Sequence, residues 1–308
     1  MASLPTIEAL RTYTGNATTA DVAALTAFGD AGGGPFDMNA EDTASPHDGM
    51  MKVVTVVGRR WSRRHNNILD PRWFGVRFDW DGVSSRNDSP RLNDCLQEAQ
   101  AINARVRCPP GRVAVVEPIV QPEKVAFRGA GPGLTALVSR IADAPVVQWG
   151  IGSYRRIGGF SLLRAVPATA GGHGLDAGSL TGDSFIADMR MNGHWHGLKL
   201  GPTAYGRVAR VVVEDSYSTG VTLSNSPTFS ALQWELDDVT SQKNEGRGYE
   251  VVSIPGPLYG VSMGQWSRTY TYANRAGGIY FIGSASAPSP RSRNSSCQRR
   301  GPCSSTQA

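Results

Sequence analysis

The sequence predicts an all-β chain whose central part is a parallel β-helix. Between residues 111 and 283, short apolar strands alternate with turns rich in Gly, Asn, Asp and Ser. Three glycines of this region, Gly174, Gly197 and Gly220, are equally spaced and define a 23-residue period. Such a period suits one coil of a solenoid, in which each coil stacks its strands on those of the coil before. A β-sandwich would also contain many short strands, but it would not keep a constant spacing.

The repeated segments share a short glycine-containing pattern. HGLDAG and HGLKLG surround the first two glycines, STGVTLS surrounds the third, and looser copies are RGYEVV at Gly248 and GGIYFIG at Gly278. We expect these glycines to stand where the chain turns with a positive φ. Alternation such as Met-x-Met and Val-x-Leu directs one face of each strand into a narrow core. About five or six coils of this period fit before residue 283.

Composition narrows the function classes. The chain has 308 residues, 40% of them apolar, but no apolar run approaches the roughly 20 residues of a membrane span. The N-terminal MASLPTIEALRTYTG lacks the pattern of a signal peptide, so we expect a protein that is made in a cytoplasm. The net charge of +5 owes +4 to the arginines of residues 284–308, so it indicates no nucleic-acid groove. We expect that segment to be a disordered basic tail.

The N-terminal third predicts two helices and a strand. A short helix is expected near Thr6–Thr14, and MKVVTVVG, residues 51–58, is expected to form a strand. After Pro90, five apolar residues lie on one face of a helix, and we expect this face to plug the open end of the first coil. They are Leu92, Cys95, Leu96, Ala99 and Ile102. Asp88 or Ser89 is the expected N-terminal cap of this helix.

Several segments resemble the pectate-lyase-like, right-handed parallel β-helix superfamily as found in bacteriophage tailspikes. WFGVRFDWDGVSSRNDSPRLNDCLQEA, residues 73–99, resembles its opening motif, although Ser85-Arg86-Asn87 replaces part of the usual acidic cap. Pro109-Pro110-Gly111 and VAFRGAGPGLTAL resemble the turn and the strand that follow. AFGDAGGGPF and GRRWSR, both within positions 1–65, are similar to a small module that precedes the β-helix in many tailspikes.

The resemblance implies an organisation and a setting. Residues 1–65 would be a virion-attachment module that binds phage tail or baseplate proteins, and residues 66–110 would lead into the β-helix of residues 111–283. The chain would form a homotrimer in the phage tail, be assembled in the host cytoplasm, and act on bacterial surface polysaccharide. No cofactor, nucleic acid or membrane span is implied.

Carboxylates on neighbouring coils are the strongest candidates for chemistry. Asn192, Asp215 and Asp238 keep the spacing of the glycine repeat, which predicts that Asp215 stacks near Asp238. Adjacent strands lie about 4.8 Å apart, so stacked carboxylates meet the separation that glycoside hydrolysis requires. The candidate catalytic residues are Glu214, Asp215, Asp237 and Asp238. A structural hydrogen-bond ladder of Asp and Asn at the corners of the coils is the alternative.

The candidate substrate-binding residues are Asn192 in the repeat ladder, Trp195 and Tyr217 as stacking platforms for sugar rings, and His196 as a sugar contact; packing in the core is the alternative for the aromatic residues. The histidines His173, His194 and His196 have no evident carboxylate partner, so we expect structural or sugar-contact roles and no metal site. GAGPG precedes a strand rather than a helix, which argues against a phosphate-binding loop.

Two functions remain open from the sequence. One is a non-enzymatic virion protein that binds a receptor polysaccharide or anchors a larger spike. The other is a polysaccharide depolymerase, either a hydrolase or a lyase. The small number of coils slightly favours the first.

Overall fold

The computed structural model describes residues 1–179, 181–225, 232–252 and 265–282. An N-terminal module precedes a long stack of parallel strands. The predicted tail, residues 284–308, lies outside the described residues. Within these ranges no helix is both long and apolar enough to cross a membrane.

The N-terminal module is a five-stranded sheet with one short helix. Its elements in chain order are β1 (Ala2–Thr6), α1 (Ile7–Arg11), β2 (Thr19–Ala24), β3 (Gly34–Asn39), β4 (Lys52–Val54) and β5 (Arg60–Arg63). The strand order is β1-β2-β3-β5-β4. Phe36 and Trp61 are fully buried between the sheet and the helix. Both predicted elements are present but shorter, since Thr6 caps α1 and the chain turns back after Val54.

The segment that leads into the β-helix contains β6 (Ile68–Leu69), a 3-10 helix (Pro71–Phe74) and α2 (Ser89–Ala101). The predicted apolar face of α2 is buried against the first coils, as expected of a plug. Asp88 occupies the predicted N-cap position, but its side chain does not cap the helix. The Asp88 carboxylate accepts no bond from the helix; instead it accepts the N–H of Arg77 and of Ala114, and Ser89 Oγ accepts the N–H of Val116. These polar side chains join the plug to the first coil.

The remaining strands form a three-sided parallel β-helix. They are β7 (Arg105–Arg107), β8 (Gly111–Val115), β9 (Ile119–Gln121), β10 (Ala126–Arg128), β11 (Thr135–Ser139), β12 (Val147–Trp149), β13 (Gly152–Ser153), β14 (Arg156–Arg164), β15 (Leu175–Ala177), β16 (Thr181–Gly182), β17 (Ser184–Asn192), β18 (Leu198–Leu200), β19 (Thr203–Glu214), β20 (Val221–Ser224), β21 (Leu232–Gln242), β22 (Tyr249–Val252), β23 (Trp266–Tyr272) and β24 (Ile279–Ile282). The fold class predicted from the repeat is confirmed.

One side is a sheet of seven short strands in the order β9-β12-β15-β18-β20-β22-β24. The long strands β14, β17, β19, β21 and β23 provide the other two sides, because each is divided in the middle by a residue with positive φ. We call the part before this residue the first arm and the part after it the second arm. The first arm continues the stack of β7 and β10, and the second continues that of β8 and β11.

The coil length is constant only in the middle of the stack. Leu175, Leu198 and Val221 pair in register, so the two coils between them keep the spacing of the glycine repeat. Val147 pairs with Leu175, and Val221 pairs with Tyr249, so the flanking coils are longer. The prediction of a uniform period is therefore wrong outside the two central coils. The core alternation keeps the strands in register while the connections differ in length.

The prediction that the five repeated glycines have positive φ is wrong, since none of them adopts the left-handed backbone conformation. They are needed for space. A Cβ atom on Gly197 would lie 2.1 Å from Val213 Cγ1, and one on Gly220 would lie 2.0 Å from Ser241 Oγ. The glycine column thus lets the seven-stranded sheet approach the second arm closely.

Candidate functional site

The two arms are separated by a column of left-handed residues. Gly159, Asp188, Arg210, Asp238 and Arg268 occupy equivalent positions on successive coils, with φ between 47° and 76°. An extra residue in this conformation bends a strand and redirects its side chains, as in a β-bulge. Each long strand consequently presents two different outer faces.

The outer face of the second arm, which we call the second-arm face, consists of two rows of side chains. One row runs Ser161, Arg190, Val212, Thr240 and Tyr270; the other runs Leu163, Asn192, Glu214, Gln242 and Tyr272. At its beginning Trp80 covers the apolar residues of the preceding coils, including Ala114 and Val138. At its far end Tyr270 and Tyr272 are 43% and 53% exposed. Arg190 is also exposed, and Asn192, Thr240 and Gln242 are partly exposed.

Glu214 lies at the centre of this face and is almost completely buried. Arg190 donates from Nε to Glu214 Oε1 at 2.6 Å, and Gln242 donates to Oε2 at 2.9 Å. Burial alone would raise the pKa of Glu214, but the hydrogen bonds from Gln242 and Arg190 and the charge of Arg190 outweigh it and lower the pKa. Glu214 is therefore held as a carboxylate.

Asn192 connects Glu214 with Asp215. Its amide nitrogen lies 3.4 Å from Glu214 Oε1 and donates to Asp215 Oδ2 at 2.7 Å. The nearest oxygens of the two carboxylates are thus no farther apart than the sum of these distances, which is less than the separation that inverting glycosidases use. Asp215 is exposed and occupies a turn position with positive φ, as do Gly193 and Lys243 on the neighbouring coils.

The predicted stacking of Asp215 on Asp238 is wrong. Asp238 pairs in position with Arg210 and Arg268 at the corner between the arms, whereas Asp215 follows the end of the second arm. The spacing of the glycine repeat fails here because β19 and β21 pair Glu214 with Gln242, a longer step along the chain. Glu214, Asp215 and Asn192 form one group, and Asp237 and Asp238 belong to a different surface.

Asp237 lies in an ion-pair network on the outer face of the first arm, the first-arm face. It accepts hydrogen bonds from Ser267 Oγ at 2.7 Å and from Arg268 Nη2 at 2.8 Å, and Arg207 lies 3.5 Å away. The bonds from Ser267 and Arg268 lower the pKa of Asp237. At the corner between the arms, Arg210 forms a bidentate ion pair with Asp188.

His173 and His194 are buried, and His196 is half-buried. His194 is fully buried; its Nδ1 accepts from Arg164 Nε at 3.0 Å, so Nε2 carries the proton and donates to the Leu162 carbonyl at 2.9 Å. Burial and the charge of Arg164 lower the pKa of His194 to about 3. The rings of His173 and His196 are stacked at 5.1 Å, as their shared repeat position predicts.

Asn192, Trp195, His196 and Tyr217 lie along one corner, after the second arm. His196 Nδ1 donates to the Thr219 carbonyl at 3.2 Å, and Trp195 packs edge-on against His196. The Tyr217 N–H donates to the His194 carbonyl, and the Tyr217 side chain is 45% exposed. Within this group, the side chains of Tyr217 and Asn192 are the most accessible to a ligand, because His196 packs against the rings of His173 and Trp195.

Sequence reasoning missed Arg190 and Gln242, which hold Glu214. The alternation of inward and outward residues along each strand would have identified them. Aligning the inward pairs of MRMN, VVVE, VTSQ and TYTY at residues 189–192, 211–214, 239–242 and 269–272 gives the observed register without any assumption about coil length. Among the described residues, no three His, Cys, Asp or Glu side chains gather in a group that could hold a metal ion.

One known protein family matches the N-terminal module. Residues 3–66 match the family described as phage tail protein small four-stranded beta-sheet domain. The N-terminal module is therefore similar to a domain of phage tail proteins. A comparison with curated proteins gives no match.

Solved structures share the parallel β-helix fold that follows this module. The chain is similar to tailspike protein gp49 of Acinetobacter baumannii bacteriophage Fri1, described as a capsular polysaccharide depolymerase, with 13% identity, a TM-score of 0.54, and coverage of 96% of this chain and 77% of that one. It is also similar to the A-module of Azotobacter vinelandii mannuronan C-5 epimerase AlgE4, with 17% identity, a TM-score of 0.53, and coverage of 71% and 62%. The gp42 tailspike of Acinetobacter phage vb_AbaP_AS12 has 12% identity, a TM-score of 0.50, and coverage of 82% and 56%. At these identities the likeness concerns the fold.

Proposed function

We propose that this phage tail protein binds bacterial surface polysaccharide along the second-arm face without cleaving it. The observation that carries the proposal is the pair of open rows that end in Tyr270 and Tyr272. Exposed tyrosines offer flat apolar surfaces for sugar rings, and the amides of Asn192 and Gln242 offer donors and acceptors for hydroxyl groups. The face follows the coils, so it suits an extended chain.

The state of the carboxylates favours binding over hydrolysis. A general acid must hold its proton near neutral pH, which requires a raised pKa. The pKa of Glu214 and that of Asp237 are both lowered, because each carboxylate accepts hydrogen bonds from a neutral side chain, Gln242 or Ser267, and from an arginine. Two of the four predicted catalytic residues are thus arranged as ion-pair partners.

One observation supports the alternative, a depolymerase. Glu214 and Asp215 both accept from the Asn192 amide, which keeps their nearest oxygens below the separation that inverting glycosidases use. The Fri1 tailspike, which is described as a capsular polysaccharide depolymerase, covers most of this chain. In this case Asp215 and Glu214 would be the catalytic pair.

We also propose where in the virion the protein lies and how it is assembled. Residues 1–65 attach the chain to phage tail or baseplate proteins, residues 66–110 lead into the coils of residues 111–283, and the protein forms a homotrimer in the virion. The phage tail domain supports this setting. Mass measurement of the purified protein in solution tests the trimer, and a monomeric mass would contradict it.

The test is incubation of the purified protein with capsular polysaccharide and lipopolysaccharide from candidate hosts. Binding is measured by co-sedimentation, new reducing ends report hydrolysis, and the ultraviolet absorbance of an unsaturated uronate reports a lyase. We expect binding without either product. Product formed by the wild type and abolished by both Asp215→Asn and Glu214→Gln, but not by the distant Glu235→Gln, would establish the depolymerase instead.

A further inference from the structure

The second-arm face carries paired charges. Arg190 and Glu214 are the members of its two rows that are charged at neutral pH, and they are bound to each other. At the rim, the exposed Asp215 and Lys243 occupy the same turn position on successive coils, because Glu214 pairs in register with Gln242. The remaining members of the two rows are apolar or uncharged polar side chains.

The charge of Arg190, whose side chain is 58% exposed, is already balanced by Glu214. The guanidinium binds Glu214, whose two carboxylate oxygens receive bonds from Arg190 and Gln242. Drawing Arg190 away from Glu214 towards a uronate would leave the buried carboxylate without its cation, and an uncompensated buried charge is costly. An anionic polymer would also meet the exposed carboxylate of Asp215.

We propose that the second-arm face recognises a neutral stretch of polysaccharide, without uronate, sulfate or phosphate groups. This inference rests on the proposed function, since it names the class of glycan for the same face. Recognition then depends on ring stacking on Tyr270 and Tyr272 and on hydrogen bonds to hydroxyl groups. A neutral glycan also excludes lyase chemistry at this face, because β-elimination requires a carboxyl group next to the carbon that loses its proton.

The experiment compares bacterial polysaccharides sorted by charge, together with one acidic capsule before and after chemical reduction of its uronates to neutral hexoses. Binding to the full chain is measured at about 50 and about 500 mM NaCl, because salt screens charge-driven binding. We expect neutral and reduced polymers to bind with Kd values that differ less than about twofold between the two salt concentrations. The native acidic polymer should bind at least about tenfold more weakly.

Two variants at Thr240 test whether the charge of this face determines which polymer binds. Thr240→Lys places an unpaired cation in the middle of the face and should increase binding of the native acidic polymer. Thr240→Gln, of similar length but neutral, should not. Preference of the wild type for acidic polymers with steep salt dependence would overturn the inference and leave the proposed function standing. A folded protein that binds no member of the panel would overturn both.

Discussion

The first-arm and second-arm faces are formed by the same strands but have opposite chemistry. The first-arm face and its corner hold alternating arginines and carboxylates, among them Arg207, Asp237 and Arg268, in a network of ion pairs. The second-arm face holds amides, a hydroxyl and two open tyrosines around one internal ion pair. A single left-handed residue per coil separates them. In a β-helix, therefore, the sequence of one strand can encode a solvated charged side and a ligand-binding side.

The glycine column lies directly against the second arm, so its disruption should have the largest effect. Gly220→Ala places a Cβ atom within 2.0 Å of Ser241 Oγ and 2.6 Å of Asn244 Nδ2. We expect a loss of about 3 kcal/mol in the free energy of unfolding, measured by urea denaturation. Gly150→Ala is the matched control, since no atom lies within 4 Å of its new Cβ. Equal stability of the two variants would refute the account of the column.

Acid should destabilise the end of the second arm. The pKa of His194 is about 3 in the folded protein and about 6.5 in an unfolded chain. Between these values the unfolded chain binds the extra proton, so stability falls as the pH falls below 6.5 and is lower by about 2 kcal/mol at pH 5. His173, with a pKa lowered to about 4 by burial and by Lys199, acts in the same direction.

His194→Asn should remove part of this acid sensitivity. Asparagine occupies the same position two and three coils later, as Asn244 and Asn274, where it forms a hydrogen-bonded ladder. Thermal unfolding at pH 7 and pH 5 measures the difference. An undiminished shift in melting temperature between these pH values in the variant would contradict the assignment of a neutral buried His194.

The corner between the two faces can be altered at Asp238, whose φ is 59°. A β-branched residue is strained there, so Asp238→Val should cost about 1–2 kcal/mol. Asp238→Gly removes the same carboxylate but adopts the conformation freely, and it should be the more stable of the two variants in chemical denaturation. If valine were tolerated as well as glycine, the corner would not depend on this backbone conformation.

Much of the architecture could be predicted because it depends on local patterns. The inward alternation, the turn residues and the apolar face of α2 are all visible in the sequence. The carboxylate site could not be assembled from the spacing of the glycines, since coil length varies while the core register does not. The role of the glycines was also hidden, because a close approach between two sides of the helix depends on packing that no single segment contains. The partnership of Glu214 with Arg190 follows only once the register is known.

The central claim is that glycan binds to the second-arm face and not to the first-arm face. The most direct test is isothermal titration calorimetry with a polysaccharide fragment that the wild type binds. The fragment is titrated into two double variants, Tyr270→Ala/Tyr272→Ala on the second arm and Asp237→Asn/Asp238→Asn on the first. Removing both exposed rings should weaken Kd at least about tenfold, because stacked aromatic side chains carry much of such binding energy. The first-arm variant should remain within about twofold of the wild type, because exposed ion pairs contribute little. Unchanged affinity in the tyrosine variant, with loss of affinity in the aspartate variant, would place the glycan on the other face and contradict the account.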